Sequence, residues 1–164
     1  MIIYLKKKNI LKIDDFYFKC AIGKNGLTKK KIEGDNKTPV GLFKLENLYY
    51  RSDRIKKPLT KLKLIRINQN MCWCDDIKDR ENYNRFSHRI LKSKHEKLFR
   101  KDNKYDLLIP IKYNFKKPKI GKGSCIFIHI TRNYKPTAGC ITVSEKDFLI
   151  ISKLINSKSK INIS

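Results

Sequence analysis

Short segments rich in β-branched and aromatic residues, separated by turns, run through almost the whole chain. The pattern predicts strands over residues 2–5, 11–13, 16–22, 41–50, 62–67, 105–113, 125–130 and 160–163. Residues 75–87 are polar and have no hydrophobic period, so we expect a long functional loop there. Such short strands bury their apolar faces only by pairing into sheets, which favours a mostly-β domain.

Two segments carry signals for the start of a helix. Ser93 is followed by Glu96 at the spacing of a capping box, and Ser144 precedes the acidic residues Glu145 and Asp147. Apolar residues at helical spacing follow Ser144. The sequence therefore predicts an α+β fold, mostly β, with two short helices.

Length and charge limit the function further. The 164 residues suit one domain, so we expect residues 1–164 to form a single unit. Lys and Arg number 39 against 15 Asp and Glu, a net charge of +24, which favours anionic partners such as nucleic acid, anionic lipid or acidic cell-wall polymer. No stretch approaches the ~20 apolar residues of a membrane span, and the N-terminal apolar run is shorter than the ~7–15 residues of a signal-peptide core.

Residues 125–143, CIFIHITRNYKPTAGCITV, hold the most informative chemistry. A nucleophilic cysteine needs a base, donors for an oxyanion and access to substrate. His129 can serve Cys140 as that base if the intervening loop folds back. Gly139 leaves the backbone uncrowded, so its N–H and that of Cys140 are candidate oxyanion donors. A thiolate at Cys140 would react with iodoacetamide faster at neutral pH than an ordinary thiol.

Two motifs carry a family resemblance. The stretch TPVGLF at residues 38–43 is similar to the T-P-x-G-x-F stretch of YkuD-type L,D-transpeptidases. His129 followed by Thr137-x-Gly139-Cys140 resembles the catalytic signature of that family, a histidine followed by [ST]-H-G-C. The similarity runs from about residue 16 to residue 164 and implies a β-sandwich.

The signature departs from the usual pattern at two positions and in its spacing. Ala138 stands where the family usually has a second histidine, and Thr142 stands where an arginine is common. Cys140 follows His129 by 11 positions (140 − 129), which is typical of a subgroup with a short catalytic loop.

The resemblance implies a cysteine-dependent L,D-transpeptidase that acts on peptidoglycan stem tetrapeptides. Cys140 would attack the donor and expel its terminal D-alanine, while His129 takes and returns the proton. The acyl group would pass to an amine, forming a cross-link, or to water, as in an L,D-carboxypeptidase. No metal or cofactor is implied, and the implied location is the periplasm or cell envelope.

Substrate-binding candidates lie in two loops, because stem peptides carry carboxylates that basic and polar side chains bind. They are Thr137, Arg132 and Lys135 before Cys140, and Tyr83, Asn84 and Arg85 in the loop over residues 75–87.

Three alternatives remain open. Cys72 and Cys74 with His88 and His95 suggest a metal site, although C-x-C is a weaker signal than C-x-x-C. The positive charge and the aromatic residues suit a nucleic-acid-binding module, although the sequence has no helix-turn-helix, zinc-finger or RNP-like pattern and we expect no such partner. A catalytically inactive, cell-wall-binding relative would explain the substitutions in the signature.

Overall fold

Two five-stranded sheets form the body of the molecule in the computed structural model, which describes residues 1–164. The elements, in chain order, are β1 (Ile2–Lys6), β2 (Ile10–Ile13), β3 (Phe16–Lys19), β4 (Leu27–Thr28), β5 (Thr38–Pro39), β6 (Gly41–Lys44), β7 (Leu48–Tyr50), β8 (Leu64–Arg66), β9 (Cys72–Cys74), β10 (Phe86–Ser87), β11 (His95–Lys97), β12 (Leu107–Pro110), β13 (Phe127–Ile130), β14 (Ile141–Val143), α1 (Glu145–Leu154) and β15 (Lys160–Ile163). The mostly-β, α+β sandwich expected from the sequence is confirmed.

The first sheet has the order β3-β2-β1-β15-β6. Its centre joins the two ends of the chain, because β1 and β15 pair in parallel with Ile2 opposite Lys160. Alternate residues of these strands, such as Ile3 and Ile161, are fully buried. Their side chains form one wall of the main hydrophobic core, as the period of two along a strand requires.

The second sheet, β14-β13-β12-β7-β8, has a hydrophobic core on each face. On β13, Ile128 and Ile130 belong to the main core, whereas Phe127 packs on the opposite face with Trp73 of β9. Since alternate side chains of a strand share a face, His129 lies on the same face as Phe127. A small sheet, β10-β9-β11, covers part of this second face.

One helix follows β14, and its start agrees with the sequence. Ser144 is the N-cap, and its side chain accepts a hydrogen bond of 3.1 Å from the Asp147 N–H. Phe148 and Ile151 are buried against the main core. None of the protein's helical structure has the length and apolar character needed to traverse a lipid bilayer.

Two predictions of secondary structure are wrong. The helix expected at Ser93 is absent: the Ser93 hydroxyl donates to Asp79, and the next residues form β11, which pairs with β9. Pairing with a distant strand therefore overrides the local capping pattern. The strand expected over residues 41–50 is divided into β6 and β7, which belong to different sheets. The chain crosses between the sandwich layers at this point.

Candidate functional site

The loop between β13 and β14 carries the candidate catalytic residues. These two strands are neighbours in the sheet and pair in parallel, with His129 opposite Thr142. The ten-residue loop between them must therefore leave the end of β13 and run back to the start of β14. Its return is fixed by the segment before β4. The Thr137 N–H donates to the Ile22 carbonyl at 2.9 Å, and the Lys24 N–H donates to the Thr137 carbonyl at 2.8 Å.

A tight turn brings the loop to Cys140. The Thr137 hydroxyl accepts a hydrogen bond of 3.0 Å from the Gly139 N–H and donates one of 2.6 Å to the Cys140 carbonyl. Gly139 has a φ of +141°, and a Cβ there would lie 2.8 Å from the backbone oxygen of Lys37. Only glycine fits this position without strain. Thr137 thus shapes the turn, and its hydroxyl is occupied within the loop.

The turn leaves one oxyanion donor where the sequence suggested two. The Gly139 N–H is already bonded to Thr137, whereas the Cys140 N–H donates to no protein group. Cys140 therefore offers both the sulfur and an unoccupied backbone donor beside it. When the sulfur attacks a substrate carbonyl, the N–H of the same cysteine can donate a hydrogen bond to the oxyanion that forms.

Thr38 joins the two sequence motifs. Its side chain is fully buried, accepts a hydrogen bond of 2.9 Å from the Gly23 N–H and donates one of 2.8 Å to the Gly139 carbonyl. The T-P-x-G-x-F stretch therefore holds the peptide immediately before Cys140. The sequence motif alone gave no indication of this contact.

Cys140 is a protonated thiol in this structure. Its Sγ donates to the Cys125 carbonyl at 3.1 Å and accepts from the Phe127 N–H at 3.4 Å. Burial, with a smaller contribution from the nearby Glu96 carboxylate, raises the pKa of the Cys140 thiol to about 12. Cys140 is nevertheless partly exposed, whereas the other four cysteines are buried.

His129 is neutral and buried on the same side of the sheet. Its Nδ1 lies 3.0 Å from the Ile130 carbonyl, which can only accept, so Nδ1 carries the proton and Nε2 is the basic nitrogen. Burial lowers the pKa of His129 to about 4, although the carbonyls of Ile130 and Lys104 favour the charged ring. The imidazole and the Tyr105 ring pack edge to face, with 5.2 Å between the ring centroids. This contact fixes the plane of the imidazole.

Both side chains line one pocket of about 680 Å³. No hydrogen bond joins Cys140 Sγ to His129; the sulfur is bonded instead to the backbone of Cys125 and Phe127. The substrate-binding candidates Arg132, Lys135 and Thr137 also line this pocket. Arg132 and Lys135 are exposed on its rim, where they can meet the carboxylates of a ligand.

The structure adds pocket residues that the sequence did not single out for this role: Glu96, Arg100, Asp102, Tyr105 and Thr142. The Arg100 guanidinium pairs with Asp102 at 2.7 Å, and the Tyr105 hydroxyl donates to Glu96. Thr142 is buried, and its hydroxyl has no hydrogen-bond partner. Four of them lie within residues 96–105 and the fifth is Thr142, so the fold brings this segment to the loop that carries Cys140.

Tyr83, Asn84 and Arg85 lie outside this pocket. The buried Tyr83 hydroxyl donates to Glu33 at 2.5 Å. The Asn84 side chain accepts hydrogen bonds from Trp73 and Cys125 and donates to two backbone carbonyls. These two residues join the long loop to the sheet, so their polar atoms are occupied within the fold and the structure does not group them with the other substrate candidates. Arg85 is exposed beside a separate depression.

The alternative metal site is not assembled. The thiols of Cys72 and Cys74 donate to the backbone carbonyls of Arg89 and Lys94. No three His, Cys, Asp or Glu side chains converge in a metal-binding arrangement anywhere in the structure. His88 instead packs edge-on against Phe86.

Comparisons with known proteins agree with this architecture. The crystal structure of the helical cell shape determining protein Pgp2 from Campylobacter jejuni is similar, with a TM-score of 0.51 and 19% sequence identity. The match covers 99% of this chain and 46% of Pgp2, so the chain spans about half the length of that protein. This likeness shows the fold. No curated protein matches the sequence.

A family model assigns the chain directly. The model of the L,D-transpeptidase catalytic domain, YkuD, matches residues 2–163, which is nearly the whole sequence. The two motifs that suggested this family meet at Thr38 and Gly139 in the structure. The chain belongs to the YkuD family of L,D-transpeptidase catalytic domains.

Proposed function

We propose that the chain is a cysteine-dependent L,D-transpeptidase that forms an acyl-enzyme on Cys140. The observation that carries this proposal is the shared pocket of Cys140 and His129, next to a turn held by Thr38. Peptidoglycan stem tetrapeptides are the proposed substrates, which corresponds to action in the periplasm or cell envelope. The 11 positions from His129 to Cys140 (140 − 129) are consistent with the proposed subgroup with a short catalytic loop.

Acyl-enzyme formation begins with the Cys140 thiol, because its raised pKa and the lowered pKa of His129 disfavour a preformed ion pair. The sulfur turns from the Cys125 carbonyl toward the substrate carbonyl, and its proton passes to Nε2 of His129 as the C–S bond forms. The Cys140 N–H stabilises the oxyanion. Collapse breaks the C–N bond, and His129 returns the proton to the leaving D-alanine amine.

The second half-reaction releases the acyl group. An amine of another stem gives a cross-link, whereas water gives an L,D-carboxypeptidase. Arg132 and Lys135 on the rim are the proposed ligands of the stem carboxylates, and Thr137 supports the reacting residue by shaping its turn.

Purified tetrapeptide muropeptide tests the proposal, with products separated by mass. The wild-type protein should release D-alanine, and Cys140→Ala should abolish the release. Cys72→Ala is the matched control, because Cys72 lies in the small sheet outside the pocket. Equal release by Cys140→Ala and wild type would reject the mechanism. Binding of the peptide without any release would favour the inactive, cell-wall-binding alternative.

A further inference from the structure

Glu96 lies on β11 and lines the pocket that contains Cys140 and His129. One oxygen of its carboxylate accepts the hydrogen bond from the Tyr105 hydroxyl. The other oxygen makes no hydrogen bond within the protein, and none of the six ion pairs of the structure includes Glu96. The pocket therefore contains a carboxylate without a cationic partner.

This lack of a partner is unexpected in a chain with 39 Lys and Arg and only 15 Asp and Glu. Asp102, the other acid of the pocket, is paired with Arg100. A carboxylate withdrawn from water is costly unless a cation or donors compensate it. Burial raises the pKa of Glu96, although the Tyr105 hydroxyl and the charges of Arg100 and Lys94 favour the carboxylate. The pocket contains basic residues, but none forms an ion pair with Glu96, so a ligand can supply the direct cationic partner that the protein lacks.

We propose that Glu96 binds an ammonium group of the stem-peptide substrate. This inference rests on the proposed function, whose second half-reaction consumes an amine that is protonated in neutral water. Arg132 and Lys135 on the rim suit the carboxylates of the same ligand, so the pocket fits a zwitterionic peptide end.

If the bound ammonium belongs to the acceptor, groups of this pocket can accept both protons that the nitrogen loses when it attacks the acyl-enzyme. The ammonium gives one proton to the Glu96 carboxylate, and the freed lone pair attacks the thioester carbonyl of the acyl-enzyme. The C–N bond forms and the C–S bond breaks. A second proton passes from the nitrogen through His129 to the sulfur, which restores the Cys140 thiol. Glu96 then releases its proton to solvent.

The test measures both products of the acyl-enzyme in the full chain. A tetrapeptide donor and a free-amine tripeptide acceptor are incubated with wild type, Glu96→Gln, Glu96→Asp and Glu46→Gln. Glu46 is the matched control, since it pairs with Lys112 and lies outside the pocket. Mass analysis gives the ratio of cross-linked product to hydrolysed donor, and a titration of donor gives its KM.

Glu96→Gln is expected to lower the ratio of cross-linked to hydrolysed product about tenfold, and Glu96→Asp should recover part of it. A raised donor KM at an unchanged ratio assigns the bound ammonium to the donor instead of the acceptor. A ratio and a donor KM both within about twofold of wild type overturn the inference. Wild-type protein that releases no D-alanine rejects the proposed function itself, which is a separate result.

A second measurement needs no variant. The free-amine tripeptide and its N-acetylated form compete with the donor on the wild-type protein. The acetylated form should compete about tenfold more weakly, because it has lost the charge that faces Glu96. Equal competition by the two forms overturns the inference even if Glu96→Gln fails to fold.

Discussion

The Thr38 hydroxyl donates a 2.8 Å hydrogen bond to the Gly139 carbonyl across 101 positions of sequence. This contact connects the two motifs by which the family is recognised. The same hydroxyl accepts from the Gly23 N–H, so one buried side chain fixes two backbone segments beside Cys140. The position of the proposed nucleophile therefore depends on a residue that does not contact the substrate pocket.

Thr38→Val is expected to destabilise the protein. It leaves the Gly23 N–H and the Gly139 carbonyl without their buried partner, which should cost about 1–3 kcal/mol in urea unfolding. Release of D-alanine should fall as well, because the turn before Cys140 loses its support. The control is Thr28→Val, whose hydroxyl only accepts from the Lys30 N–H at the surface and should change stability by less than about 0.5 kcal/mol. Equal stability of the two variants would contradict the role of Thr38.

Cys140 is expected to react slowly with iodoacetamide at pH 7. Its pKa of about 12 leaves little thiolate there, which is opposite to the fast reaction that the sequence suggested. The labelling rate should rise about tenfold per pH unit from pH 7 to 10, since only the thiolate reacts. Intact-mass measurements follow the reaction, with Cys140→Ala to identify the labelled site. A plateau in rate near pH 8 would contradict the buried, neutral thiol.

His129 is expected to act as a base well into the acidic range. Its pKa is lowered to about 4, so the ring stays neutral as the pH falls from 7 and becomes protonated only near pH 4. The kcat/KM for D-alanine release should therefore fall as the pH drops through about 4. A histidine in water would give that loss near its ordinary value of about 6.5. An acid limb at that higher pH would show that another group controls the reaction.

Thr142→Val should not destabilise the protein. The Thr142 hydroxyl is buried without a partner, so an apolar side chain of the same shape removes an unsatisfied group. The free energy of unfolding should stay constant or rise by up to about 1 kcal/mol. Thr137→Val is the contrast, because it deletes two hydrogen bonds of the catalytic turn and should lose about 1–3 kcal/mol. A loss of similar size in both variants would imply a partner for Thr142.

The sequence predicts elements well where local signals and tertiary contacts agree. The helix after Ser144 forms because its cap, its acidic first turn and its apolar stripe all favour the same structure. The capping pattern at Ser93 has equal local strength, but Asp79 takes its hydroxyl and β9 pairs with the residues that follow. Nothing near Ser93 in the sequence reports these distant partners.

In the candidate site, too, local signals predicted some residues, whereas distant contacts determine the others. His129 and Cys140 could be identified because one loop carries both and a family motif marks them. Glu96 could not, since it enters the pocket from another sheet and its sequence context suggested a capping box and, at His95, a metal ligand. Asn84 illustrates the opposite case: its polar side chain in a long loop suggested binding, yet it joins that loop to Trp73 and Cys125.

The pairing of β1 with β15 has a consequence for biosynthesis. Lys160 is made 158 positions after its neighbour Ile2 (160 − 2). The middle of the first sheet therefore stays open until β15 has been made, with the apolar side chains of β1 uncovered on one side. A nascent chain of this protein should depend on chaperones that shield β1, and this domain should reach protease resistance only after β15 has left the ribosome.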